Sequence, residues 1–366
     1  MITPLLPGYV VSKGESLTFA GMAVGAFSIA ALLARPLASI TGDRFNKKWL
    51  YIFSLCLTGF SIVLYTLVPG VVWLLPVRIF HGLAFSISGT VFFSLGVGFI
   101  PQKRLGEGIG YLGLGNIIGN ALGPNIAIIL IQHYSYEFCF LLSGIVIMAA
   151  GLSVIALRYS HTAVEPSPGC VRPAFSFHNL LSVELLPNAL FCAILAVSQG
   201  LIISFLVMLG LERGITNIGL YFIVNCVFLA ATRPFLGRIA DRIGSAAVVL
   251  PGFILSAAAM MLIGMSNIIW PLLLAAFFMA IGSGGAMPAI QADCLKKLSR
   301  GRETLATGTY FIGMDTGMTI GQVLGGALID FRGYGVTFNS AGFLSLAGFF
   351  IFLLYSKFEK RRKGFY

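Results

Sequence analysis

Charge is scarce in this chain. Asp, Glu, Lys and Arg make up only 10% of its 366 residues, against roughly 25% in an ordinary globular domain, and that excludes a soluble protein with a solvated surface. Acids are scarcer than bases, 13 against 24. The six cysteines stand at 56, 139, 170, 192, 226 and 294 with no paired spacing, and the four histidines are as scattered. Neither a disulfide framework nor a metal-ligand cluster fits that distribution. No ten-residue segment alternates polar and apolar residues, as the strands of a membrane barrel would. A phosphate loop, a His-Glu-x-x-His motif and a nucleophile elbow are missing too, so ATP-driven transport and hydrolysis lack their machinery. No enzyme, no cofactor and no metal are expected. Gly108-Ile-Gly110-Tyr-Leu-Gly113 matches a dinucleotide fingerprint, but it follows a Pro-Gln-Lys-Arg loop rather than a buried strand, and it leads into a long apolar run.

What the chain has in quantity is apolar length. Hydrophobic residues reach 57%, and the mean hydropathy is +0.93. Runs of about 20 residues, long enough to cross a hydrocarbon core about 30 Å thick, lie near 17–40, 50–67, 71–100, 108–131, 138–157, 185–211, 217–238, 246–265, 268–292, 305–329 and 336–355. The 44 glycines suit helices that approach one another closely in a membrane. An all-α membrane protein with eleven full spans is the fold class expected.

The basic excess marks a side. Of the 24 Lys and Arg, 18 fall on one face of this topology, from Arg44, Lys47 and Lys48 to the cluster at 357–363. Only Lys13, Arg213 and Arg332 lie in loops opposite, and Arg35, Arg78 and Arg233 lie within spans. Positive charge marks the cytoplasmic side, so the C-terminus is expected there, in a bacterial-type cytoplasmic membrane. The charge is a topology signal and no nucleic-acid partner is expected. The terminal cluster reads as an anchor, with anionic lipid as a second reading.

The chain also repeats itself. Arg35-Pro36 and Asp43-Arg44 recur 198 positions later as Arg233-Pro234 and Asp241-Arg242, and Gly21 falls on Gly219. Gly115, Gly119 and Gly123 reappear as Gly317, Gly321 and Gly325, shifted by 202. Two similar halves follow, 1–159 and 185–366, joined by a polar cytoplasmic linker at 160–184 that contains Pro166, Pro168, Gly169 and Pro173. Duplicated helical halves are the build of secondary transporters, with the substrate site between the halves near the midplane. Under the shift Met1 aligns with Gln199, and a helix over residues 1–11 rises only about 16 Å. A first helix is expected to be largely missing, with the true start upstream or the protein shortened.

A few polar residues lie inside the spans. Asp315 sits about ten residues into its span, where an ionised carboxylate is costly unless it protonates or pairs. It is the leading proton-coupling candidate, a fixed partner for an arginine being the other reading. Arg78 is the second candidate, as a substrate contact, a tuner of a proton site or a donor to backbone carbonyls. His81, one turn on, titrates near neutral pH or serves as a packing residue. Asn116, Gln199, Asn225 and Tyr310 are the substrate-cavity candidates, interhelical hydrogen bonds and lipid-facing packing being their alternatives. Arg35 and Arg233 are within reach of the cytoplasmic headgroups, although their duplication points to architecture. The glycine stripes read as close-packing surfaces.

These residues resemble the major facilitator superfamily. Gly237-Arg-Ile-Ala-Asp241-Arg242-Ile-Gly244 is similar to that family's loop motif. The first copy keeps Asp43, Arg44, Lys47 and Lys48 but has Ser39 and Asn46 at the glycine positions. Arg78, two residues, His81 and Gly82 resemble its Arg-x-x-Gln-Gly motif. Gly119-x3-Gly123-Pro124 resembles the helix-packing motif of proton-linked antiporters without its last two glycines. The resemblance implies two six-helix halves and alternating access, with Asp43, Arg44, Asp241 and Arg242 in gating loops. It implies proton-coupled efflux of a small organic molecule by a monomer in the lipid bilayer. An uptake symporter or facilitator, and a non-transporting remnant or solute sensor, remain the alternatives.

Overall fold

The computed structural model describes residues 5–6, 9–10, 12–14, 17–157, 182–298 and 302–362. Most of the 160–184 linker, together with Arg158, Arg172, Arg300 and Lys363, lies outside them. Among the described residues the chain forms eleven long helices and no strand. They are α1 (Leu17–Arg44), α2 (Lys47–Leu67), α3 (Leu74–Val97), α4 (Leu105–His133), α5 (Tyr136–Ser153), α6 (Leu186–Glu212), α7 (Gly219–Ile243), α8 (Ala246–Met265), α9 (Ile269–Lys297), and the helical stretch Glu303–Arg362. That last stretch breaks at Gly333, whose φ of 78° no β-carbon tolerates easily, giving α10 (303–332) and α11 (334–362). Each expected span falls on one of these helices. Ahead of α1, Leu5, Leu6, Tyr9 and Val10 are helical and buried.

Local chemistry sets the helix ends. Asn46 caps α2 by accepting from Lys48 N and Trp49 N, and Ser135 caps α5 by accepting from Phe138 N, which satisfies amides that the first turn leaves open. Arg213 closes α8 from the other end, donating to the carbonyls of Ile263, Gly264 and Ser266. Among the described residues, nine helices are long and apolar enough to cross a membrane; the glycine-striped α4 and α10 are not among them. Leu33, Phe53, Ile223 and Phe350 are largely exposed, as lipid-facing residues are, and Trp49, Trp73 and Trp270 stand exposed at helix ends, where interfacial aromatics concentrate.

The contacts divide the chain into two units, 1–99 with 118–182 and 298–309, and 100–117 with 183–297 and 310–366. These units differ from the sequence halves, because each includes a helix start from the other half. In the first unit α1 packs on α3, and α2 packs on α3 and α5. A β-carbon on Gly59 of α2 would stand 2.6 Å from the Gly144 carbonyl of α5, and one on Gly144 would stand 2.7 Å from the Gly59 carbonyl, so both must be glycine. In the second unit α9 packs on α7 and α8, and a β-carbon on Gly317 or Gly321 would collide with the carbonyl of Ala193 or Val197 on α6. The second stripe is thus a close-packing surface. The first differs: Gly115 and Gly119 are exposed, with nothing among the described residues within 4 Å of a β-carbon on either. Among the described residues no helix packs on this face of α4 at Gly115 or Gly119. Gly123 is buried.

The duplicated arginines tie neighbouring helices together. Arg35, 3% exposed, donates to the Ser86 carbonyl at 3.3 Å and to Thr90 Oγ1 at 3.1 Å. Arg233 donates to the Gly284 carbonyl at 3.3 Å. Both target a carbonyl 51 residues on, so each ties α1 to α3, or α7 to α9, in the same register.

Candidate functional site

Two carboxylates at the ends of α1 and α7 hold backbone amides. Asp43 accepts from Thr304 N at 3.0 Å and Leu305 N at 3.1 Å, the first turn of α10. Asp241 accepts from Gly106 N and Glu107 N, each at 3.0 Å, the first turn of α4. A helix N-terminus presents unpaired N–H groups and a partial positive charge, and a carboxylate there satisfies both. The two sets obey the repeat, because Thr304 and Leu305 lie 198 positions after Gly106 and Glu107. Each latch joins a loop in one sequence half to a helix start in the other, within a single contact unit.

The flanking charges are not duplicated. At the first latch Lys47 pairs with Glu303 at 2.8 Å, and Ser94 Oγ and Thr304 Oγ1 are hydrogen-bonded at 2.7 Å. At the second, Lys296 reaches Asp241 at 2.8 Å and Arg238 reaches Glu107 at 2.6 Å. The Arg238 hydrogen bond holds the Glu107 carboxyl below the usual carboxylate range. Arg44 and Arg242, named with the two aspartates as gating residues, are exposed beside them. Sequence patterns did not single out Glu303, Glu107 or Lys296; the only hint was the position of Lys47 one turn after Asp43.

Arg78 and His81 lie one turn apart near the start of α3, and both are buried, Arg78 to 1% exposure. Arg78 Nε donates to the Ala23 carbonyl of α1 at 3.1 Å, and Nη1 donates to Tyr65 Oη of α2 at 3.2 Å. Tyr65 Oη lies 2.6 Å from His81 Nδ1. Having accepted from the arginine, the phenol has its own proton to donate to that nitrogen. The Phe27 and Tyr65 rings stand 5.0 and 5.7 Å from the guanidinium carbon, within cation–π range. The sequence brought out Arg78 and His81 but not Tyr65, which joins them.

In the second unit most of the cavity candidates already have helix–helix partners. Gln199 donates to Ser283 Oγ at 3.0 Å, and Asn225 donates to the Ala276 carbonyl at 2.9 Å. Tyr310 is 4% exposed and hydrogen-bonds Cys192 of α6, with Arg233 near it. Asp315 is half-buried on α10, within electrostatic range of Cys192, and Thr319 Oγ1 donates to its backbone carbonyl. Asn116 is exposed on α4. Pro124 lies in the same helix, one residue beyond Gly123.

A sequence profile of the Major Facilitator Superfamily matches residues 1–217 and again 189–365. The chain belongs to that superfamily. An MFS-type transporter of Methanocaldococcus jannaschii is 26% identical over 357 residues, covering 94% of this chain and 91% of the relative. The multidrug resistance protein MdtG of Klebsiella pneumoniae is 30% identical over 174 residues, 46% of this chain and 41% of its own. Among solved structures, the human organic anion transporter MFSD10 superposes with a TM-score of 0.78 at 17% identity, covering 95% of this chain and 94% of the other. The likeness extends over essentially the whole fold, and this is a multi-pass superfamily transporter.

Proposed function

We propose that the protein is a proton-coupled exporter of a small organic molecule, a monomer that works by alternating access in a bacterial-type cytoplasmic membrane with its C-terminus inside. The pair of latches carries this reading. Asp43 and Asp241 each hold a helix start from the opposite sequence half. A cycle that exposes a site first to one side and then to the other has to break such contacts and remake them. Efflux is favoured by the similarity to the multidrug resistance protein MdtG and by the antiporter-like Gly119-x3-Gly123-Pro124 stretch in α4.

Asp315 is the coupling group in this reading. A carboxylate midway along a membrane helix changes protonation with its access to water, which is what links proton movement to a change of state. Purified protein in proteoliposomes tests this with an imposed pH gradient. Asp315→Asn, which mimics the protonated form, abolishes proton-driven export and leaves passive substrate exchange. Asp315→Glu keeps export with a shifted pH optimum. Full proton-driven export by Asp315→Asn removes the assignment and moves it to His81 beside Arg78.

A further inference from the structure

Helix α11 is longer than a hydrocarbon core is thick. Residues 334–362 rise about 43 Å at 1.5 Å per residue, against a core of about 30 Å, so roughly the last two turns stand at the headgroups and beyond. A clasp on the inner face fixes how those turns are rotated about the helix axis. Lys297, at the end of α9, donates to Tyr355 Oη at 3.3 Å, stands 5.4 Å from that ring's centre and meets Glu359 at 3.4 Å. The same ammonium pairs with Asp293 at 3.0 Å and donates to Asn188 Oδ1 of α6 at 3.0 Å. The Tyr355 ring also packs on Phe191 of α6, with 5.5 Å between centroids. Tyr355 and Glu359, one turn apart, therefore face the neighbouring helices.

The clasp leaves an outer face of different character. Leu354 and Phe358 are each 68% exposed, and Lys357 between them is exposed too. Positions 354, 357, 358 and 361 keep the i, i+3, i+4, i+7 spacing of one helix face, and position 361 is an arginine. Lys357, Lys360, Arg361, Arg362 and Lys363 follow one another closely, and Glu359 is the single acid after Asp330. Because Glu359 is turned onto Lys297, the basic set stands unopposed. Apolar side chains where the hydrocarbon ends, with cations beside and beyond them, match a layer whose acyl chains end in phosphate. A soluble acidic partner would use the cations and have no use for Leu354 and Phe358.

We propose that the last two turns of α11 are a docking surface for anionic phospholipid, with Lys357 and the basic residues after it at the phosphates and Leu354 and Phe358 among the acyl chains. The surface is independent of the direction of transport and of the side on which the chain ends. Native mass spectrometry of the purified full chain in a neutral detergent tests it. Phosphatidylglycerol or phosphatidylcholine with the same acyl chains is added at equal concentration, and phosphatidylglycerol is expected to be retained in excess. Lys357→Gln combined with Arg361→Gln lowers phosphatidylglycerol affinity ~10- to ~30-fold, the effect of two charges beside an anionic surface. Phe358→Ser lowers it as well, with no change of charge. Lys357→Arg combined with Arg361→Lys keeps it and guards against a misfolded variant. Lys103→Gln combined with Arg104→Gln, which removes two exposed charges at the start of α4, leaves it unchanged. Equal retention of the two lipids overturns the proposal. An equal loss from the Lys103 and Arg104 pair does so too, because binding would then follow net charge alone. Displacement of phosphatidylglycerol by soluble polyglutamate, with Phe358→Ser binding as well as the native chain, overturns it in favour of an acidic protein partner.

Discussion

Replacing Asp241 with asparagine tests the latches directly. The carboxylate accepts two 3.0 Å bonds from the first turn of α4 and meets Lys296 at 2.8 Å. Asparagine has nearly the same shape but no charge, and it presents an NH2 group where one acceptor oxygen stood. A partly buried carboxylate at a helix N-terminus contributes up to ~2 kcal/mol. One lost hydrogen bond costs a further ~0.5–1.5 kcal/mol. The Lys296 pair adds little, because that side chain is 36% exposed and exposed pairs are screened. A total of about 1–3 kcal/mol corresponds to a ~5- to ~150-fold rise in the open population of this latch. Hydrogen exchange followed by mass spectrometry reads it at the Gly106 and Glu107 amides, which are protected only while the latch is closed. If both latches open in one transition, the Thr304 and Leu305 amides held by Asp43 accelerate by the same factor, though the mutation lies far from them in sequence. Acceleration below ~2-fold at Gly106 and Glu107, in a variant with unchanged thermal stability, would refute the reasoning. Acceleration there without any at Thr304 would leave the latch and refute the common transition.

Gly321→Ala should lower the detergent melting temperature, since its β-carbon meets the Val197 carbonyl and overpacking costs ~1–3 kcal/mol. Gly119→Ala should leave that temperature equal or higher, because its β-carbon meets nothing described and alanine is the better helix former; a fall as large as that of Gly321→Ala would contradict the packing. Tyr310→Phe should cost stability through the lost Cys192 bond and leave the transport KM unchanged; a raised KM with unchanged stability would return Tyr310 to the substrate. Glu107→Gln should be less stable than the native chain at neutral pH. Glu107 is depressed by Arg238, so its contribution is present above the ordinary carboxylate range and lost as pH falls through the lowered value. Melting curves of the two proteins should therefore converge in acid, and a gap that widens there would reverse the sign.

Apolar length and the 198-residue repeat were enough to place all eleven helices and to pair Asp43 with Asp241. The partners of those aspartates were not legible, because they are backbone N–H groups and those are alike at every residue. The same holds for Arg35 and Arg233. Their duplication pointed to architecture, but their acceptors are carbonyls on α3 and α9, which leave no trace in a side-chain pattern. Arg78 and His81 stood out by type, whereas Tyr65 was one of 12 tyrosines until the fold set its hydroxyl between them. The two glycine stripes looked equivalent in sequence, and it is α6, packed against Gly317 and Gly321, that makes the second a close-packing surface.

The reciprocal register of the latches has a consequence for how such a chain can be cut and joined. Residue 43 meets 304–305, and residue 241 meets 106–107; after subtracting the 198-residue repeat the two contacts are one contact made twice. That is the signature of a self-complementary association, in which one patch on each copy meets the other's second patch. Each half therefore carries both faces of the joint, the acidic loop and the helix start. The halves produced as separate polypeptides have the means to find each other, and a tandem of two copies of the second half keeps both joints through Asp241 and its equivalent alone.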